Sequence, residues 1–179
     1  MRVIGGELKG QRLMAPRGTA VRPTSERARE AIFSVLGERV VGARVLDLCC
    51  GTGALAIEAL SRGAVHATLV DRDVRGAIGN VERLGLGERT ELVRAHVSRW
   101  LGAREDGGAR YDIIFLDAPY KLADRVGRQF DSHLPTLLAP EGRAIVESSA
   151  RHPLQVESLP RLRQRRYGAA DVAIYGEKG

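Results

Sequence analysis

Ala43-Arg44-Val45-Leu46-Asp47-Leu48-Cys49-Cys50-Gly51-Thr52-Gly53 decides the fold. Val45–Leu48 is an apolar run of strand length interrupted by one acid. It ends in two glycines within three residues, and Ala54–Ser61 then continues without a breaker until Gly63. Gly51 and Gly53 allow a tight backbone turn and let a ligand approach with no Cβ in the way. A buried strand turning directly into a helix is the first half of a βα unit.

Outward from this turn the alternation continues. Strands are predicted over Ala43–Leu48, Ala67–Val70, Glu91–Val93, Tyr111–Leu116 and Ala144–Val146. Helices are predicted over Ala54–Ser61, Val74–Leu84, Val97–Leu101 and Leu122–Leu138, the last despite Pro135. Leu162–Tyr167 and Asp171–Tyr175, joined at Gly168, break the rhythm as an antiparallel C-terminal hairpin. Repeated βα units with continuous apolar strands give an α/β fold, doubly wound and Rossmann-like, with a mainly parallel seven-stranded sheet. Before it, Arg2–Gly6 and Leu8–Leu13 read as two short strands. Thr24 or Ser25 caps a helix striped by Ala28, Ala31, Ile32, Val35 and Leu36 and stopped at Gly37. Residues 1–37 thus form a small N-terminal hairpin and helix extension, packed on a main unit over 38–179.

Composition narrows the class. At 44% hydrophobic and 28% charged, the chain is expected to be globular. It has no apolar run of the roughly 20 residues that a membrane helix needs. Cys49 and Cys50 are the only cysteines, too few for a disulfide scaffold or a four-ligand zinc site, so reduced thiols in a cytoplasmic protein are expected, with no metal. The net charge of +6 is unevenly placed: residues 1–29 carry +5, residues 151–179 carry +3 and residues 30–150 carry −2. Arginine supplies 25 of the 28 basic residues. A GC-rich coding bias explains that ratio as well as phosphate recognition does, but it does not explain the clustering at the two ends.

The turn itself implies a cofactor. Asp47, four residues before Gly51, repels a pyrophosphate and can pair with the amine of a methionine moiety. Asp71, 20 residues past Gly51, stands where an acid reaches a ribose diol. These point to S-adenosylmethionine held by Asp47, Gly51, Gly53 and Asp71. Gly51-x-Gly53-x-x-Ala56 also satisfies the dinucleotide pattern, so an NAD-linked oxidoreductase stays open. His96, after the third strand, is either an adenine contact or a surface histidine.

The fourth strand runs into Asp117-Ala118-Pro119-Tyr120. An exocyclic base amine is a poor nucleophile, and the Asp117 carboxylate with the Ala118 carbonyl can hold its two N–H bonds toward a methyl donor. Pro119 stiffens the loop, and Tyr120 offers a ring for base stacking. The loop alone does not choose guanine from adenine, or RNA from DNA.

The chain resembles the RsmD-like bacterial 16S rRNA (guanine-N2)-methyltransferases, which are class I S-adenosylmethionine-dependent enzymes. The likeness runs through Arg2–Gly6, Arg22-Pro23-Thr24 to Glu30, Val45–Leu48, Glu58–Ala64, the Asp117 loop, Val146-Glu147 and Arg166–Gly168. It implies methylation of a guanine N2 in the small-subunit rRNA, on a ribosomal particle. Ala118 replaces the first proline of the family's D-P-P-[YF] loop, Cys49-Cys50 precede the glycine, and His96 stands for a frequent acid. Arg2, Lys9, Arg12, Arg22, Arg27 and Arg29, with Arg165 and Arg166 (and Arg161 and Arg163 beside them), are expected to contact rRNA phosphates. A monomer is the expected state. An adenine-N6 methyltransferase on DNA or RNA and a non-catalytic RNA-binding assembly factor are the other readings.

Overall fold

The structure, a computed structural model, describes residues 1–14, 25–104, 108–118 and 123–177, with the backbone alone at 123 and 124. Ser25 is the cap that opens α1 (Glu26–Leu36), its Oγ accepting the Ala28 N–H at 3.1 Å. Then follow β1 (Arg44–Leu48), α2 (Ala54–Ser61), β2 (His66–Asp71), α3 (Arg75–Arg83), β3 (Thr90–Arg94) and α4 (Val97–Gly102). The chain continues with β4 (Tyr111–Asp117), α5 (Ala123–Leu137), β5 (Leu138–Ser149), β6 (Arg161–Tyr167) and β7 (Ala170–Tyr175). The seven strands lie in the order β3-β2-β1-β4-β5-β7-β6. All pairs are parallel except β5–β7 and β6–β7, which are antiparallel. The strand order reverses between β1 and β4, and the carboxyl ends of these two strands lie side by side.

Alternation along the strands divides the core in two. Val45, Leu69, Phe115, Ile145 and Ile174 face α1, α2 and α3. Leu46, Val70, Leu116, Val146 and Ala173 face α4 and α5. Asp47 and Asp117 share parity with the first set, so both carboxylates belong to the α1–α3 face, at the crevice end of the sheet.

The N-terminal arm differs from expectation. Instead of two strands it has one antiparallel bridge, Arg2 with Arg12, supported by the Val3 and Leu13 amides donating to Gln11 and Met1. The reason is local: the Ile4 and Gly5 amides are donated to the Glu58 carboxylate on α2, both at 2.8 Å, and are lost to a ladder. Glu58 is fully buried and also accepts from Arg62 Nε at 2.8 Å. Ser61 Oγ donates to the Gly5 carbonyl at 2.6 Å and accepts the Leu8 amide at 2.9 Å. At Gly6, φ is +77° and a Cβ would collide with the Ser61 carbonyl, so only glycine fits. Farther along, Asn80 on α3 accepts the Met14 amide at 2.8 Å, while its Nδ2 donates to the carbonyls of Met14 and Thr52, both at 3.0 Å.

Glu58→Ala leaves two part-buried amides and Arg62 without their acceptor. It should lower unfolding stability by about 3 kcal/mol and expose the arm to protease first. Urea melts and limited proteolysis measure this; an unchanged midpoint contradicts the anchoring role.

Candidate functional site

The β1-to-α2 turn is fixed by backbone-to-carboxylate bonds. Asp47 is 1% exposed, and its Oδ2 accepts the Ala56 N–H in the first turn of α2 at 3.1 Å. Asp71, at the end of β2, accepts the Gly51 amide at 3.0 Å and the Asp73 amide at 3.0 Å. Cys49 and Cys50 both donate backbone N–H to the Val70 carbonyl, at 2.9 and 3.3 Å. Cys49, Gly51 and Gly53 have φ of 63°, 55° and 75°. A Cβ on Gly51 would meet nothing within 4 Å, whereas one on Gly53 would press on Leu69 at 2.9 Å. Gly51 therefore borders open space and Gly53 packs against the sheet.

A cleft of about 560 Å³ lies at this end of the sheet, lined by Cys49, Asp71 and His96 together with Arg72, Arg99 and Arg125. His96 is exposed at the start of α4. Behind the cleft, the ends of β1, β2 and β4 bring Asp47, Asp71 and Asp117 near one another. Burial pushes the Asp47 carboxyl up to about 8, the Ala56 N–H pulls the other way, and Asp117 and Asp71 add repulsion. Burial first, and then nearby carboxylates (Asp71, Asp117 and Asp47 at Cys49; Asp47 and Asp71 at Cys50), raise both thiols well above the usual cysteine range. Among the described residues, no group of three or more His, Cys, Asp or Glu is disposed to hold a metal ion.

Asp117 ends β4, half-buried, beside Leu48 and the Gly51 turn, and pairs in register with Glu147 on β5. Ala118 follows, 2% exposed. Pro119, Tyr120 and Arg22 lie outside the described residues. In the antiparallel hairpin, Arg165 and Arg166 are level with Glu147 and Ser148 and so stand at the crevice end, while Arg161 is level with Ala144 toward the opposite end. Arg2, Arg12 and Arg27 are exposed; Arg2 pairs with Glu26 in the first turn of α1 and is bridged to Arg12. Lys9 sits in the arm's turn beside Ser61, at the far end of α2 from the glycine turn. Arg29 is a correction. It is fully buried, Nη2 donates to the Arg2 carbonyl at 2.8 Å, and burial lowers its proton affinity against the pull of Glu58 and Glu26. It braces the arm from beneath and presents no guanidinium to a phosphate.

The family model described as Conserved hypothetical protein 95 matches residues 1–176. The chain belongs to this family. It is 36% identical over 184 residues to YlbH of Bacillus subtilis, covering 100% of both chains. It is also 36% identical over 124 residues to Ribosomal RNA small subunit methyltransferase D of Escherichia coli K12, covering 68% of this chain and 61% of that one. Among solved structures, the hypothetical protein TTHA0928 of Thermus thermophilus superposes with a TM-score of 0.83 at 28% identity, covering 99% of each chain.

For this member of the Conserved hypothetical protein 95 family, sequence reasoning missed Cys49, Arg72, Arg99 and Arg125 as cleft residues. Arg72 had a signal, since it directly follows Asp71. Arg99 and Arg125 had none, because their charges are averaged away over a near-neutral middle of the chain.

The raised thiols should be unreactive. Iodoacetamide at pH 8 should alkylate Cys49 and Cys50 on the order of 100-fold more slowly in the native protein than in urea. Rapid native labelling, read by mass spectrometry, would contradict the buried acidic setting.

Proposed function

We propose that this chain is an S-adenosylmethionine-dependent rRNA methyltransferase acting on the exocyclic N2 of a guanine in small-subunit 16S rRNA, within an assembled or partly assembled particle. One observation carries the cofactor reading: the buried Asp47 carboxyl lies close to Asp71 and Asp117 beside the open turn at Gly51. Such a setting suits a ligand with an ammonium and a sulfonium. It opposes the pyrophosphate that an NAD-linked oxidoreductase would require. The ribosomal acceptor rests on family membership and on what the Escherichia coli relative is named for.

S-adenosylmethionine, when bound, supplies an electrophilic methyl group on sulfur. The residues of the chain do the rest. Asp47 pairs with the amine, Asp71 accepts from the ribose diol with lone pairs its backbone bonds leave over, Gly51 and Gly53 admit the ligand to the backbone, and His96 borders the adenine. Asp117 and the Ala118 carbonyl accept the two N–H bonds of the guanine amine and aim its lone pair. Asp117 or water would take up the proton that the amine gives up once it carries the methyl group. Tyr120 stacks on the extruded base and Pro119 holds the loop. Arg2, Arg12, Arg22, Arg27, Arg165 and Arg166 neutralise rRNA phosphates. Residues 1–37 serve as a basic extension of the catalytic unit over 38–179, and a monomer in the cytoplasm suffices.

Asp117→Ala should lower kcat on the order of 100-fold or more while leaving S-adenosylhomocysteine affinity nearly unchanged. Methyl transfer to small subunits from a modification-deficient strain, with mass mapping of the nucleotide, checks both. Full activity would remove Asp117 from the mechanism, and methyl on adenine would replace the guanine reading.

Asp47 gives a second test. In the free protein near pH 7 it is largely protonated, since its pKa is pushed up to about 8. Pairing with the ligand amine lowers that pKa, so S-adenosylhomocysteine binding should release a proton. The release should fade as pH rises through 8, where Asp47 is already ionised. Calorimetry in buffers of different ionisation enthalpy should detect it in the wild type and not in Asp47→Asn.

A further inference from the structure

We infer that a second RNA-phosphate surface lies on the rim of the cleft across the sheet from Arg165 and Arg166, formed by Arg72, Arg99 and Arg125. The inference rests on the rRNA reading above and names a part of the interface that neither terminus supplies.

Three elements bring these arginines together. Arg72 follows β2, Arg99 lies in α4 and Arg125 in the first turn of α5, and all three are exposed and line the same cleft. Four arginines of the described residues are matched with acids: Arg2 with Glu26, Arg62 with Glu58, Arg75 with Asp73 and Arg89 with Glu7. Among the described residues, Arg72, Arg99 and Arg125 make no such pair. Three unmatched guanidinium groups around one opening repel each other unless an anion arrives.

The cofactor does not supply that anion. S-adenosylmethionine is a net cation, and adenine and ribose at this end of the site are neutral. Among the described residues, Asp71 is the only acid that lines the cleft, and it accepts the Gly51 and Asp73 amides. The anion therefore comes from outside the cleft, and guanidinium groups match phosphate oxygens in geometry as well as charge.

A chain of phosphates fits better than a single one. Arg165 and Arg166 stand at the same end of the sheet on β6. From β2 to β6 there are five strand spacings, on the order of 24 Å, about seven phosphates of a helical strand. A backbone crossing between the two basic rims would carry the target base directly over the Asp117 loop.

The test uses the full chain and a fluorescein-labelled single-stranded RNA 20-mer, titrated across salt by anisotropy. In Arg99→Gln/Arg125→Gln, affinity at low salt should fall on the order of tenfold. The log–log salt slope should flatten by about 1.4, two contacts' worth. S-adenosylhomocysteine affinity and the melting temperature should stay as in the wild type. Arg39→Gln/Arg83→Gln removes the same charge from the opposite end of the sheet and should change the slope little. Unchanged RNA binding in the rim variant, or an equal loss in the distal variant, would overturn the proposal. A loss of S-adenosylhomocysteine affinity without a change in RNA slope would overturn it too, assigning the rim to the cofactor. Rim-dependent RNA binding without methyl transfer to rRNA would sustain the rim and sink the proposed function, so the two fail separately.

Discussion

The architecture hangs on a reversal of direction made in five residues, 49–53, between β1 and α2. The Gly53 amide closes the turn on the Cys50 carbonyl. Two carboxylates and one more carbonyl hold it from outside. Asp47 takes the amide of Ala56, Asp71 takes that of Gly51, and Val70 takes those of Cys49 and Cys50. The arrangement leaves the carboxylates crowded and one of them almost fully dehydrated. The turn that organises the fold is thus also the place where the chain is electrostatically least content. A cationic ligand relieves that tension, so fold and site draw on the same groups.

A second set of buried polar bonds joins the N-terminal arm to this framework. Glu58, Ser61 and Asn80 replace a strand ladder with side-chain acceptors and donors aimed at the arm's backbone. Arg89 closes the far end of α2, donating to the Leu60 and Ala64 carbonyls at 2.7 and 2.8 Å while meeting Glu7 at 2.7 Å. Apolar contact from Val3 and Leu13 adds to this, but the polar bonds set the register.

The sequence made the βα rhythm legible because glycines punctuate it. The bounds of α2 are those expected, with Gly51, Gly53 and Gly63 on either side. Strand ends were read too short: β2 takes in His66 and Asp71, and β5 reaches back to Leu138. Backbone pairing continues where the apolar pattern has stopped. Asp47, Asp71 and Asp117 were identifiable from their distances to the glycine turn and to strand ends. Arg29 was misread because charge was taken for exposure, and only the Arg2 carbonyl, 27 residues away, shows why it is inside. The arm's anchors were invisible for the same reason. Bonds spanning 53 to 66 residues leave no periodicity behind. Arg72, Arg99 and Arg125 escaped because a running charge sum cannot see a loop and two helices meeting.

Asn80 has a wider consequence. Its single amide group holds the last described residue of the arm, Met14, and the carbonyl of Thr52 inside the glycine turn. Order in the arm and order in the turn therefore share one hydrogen-bonding group. Whatever stiffens one end reduces the conformational freedom left to be lost at the other. A polyanion gripping the arm and a small ligand filling the turn would then be thermodynamically linked, each changing the affinity of the other by the same factor.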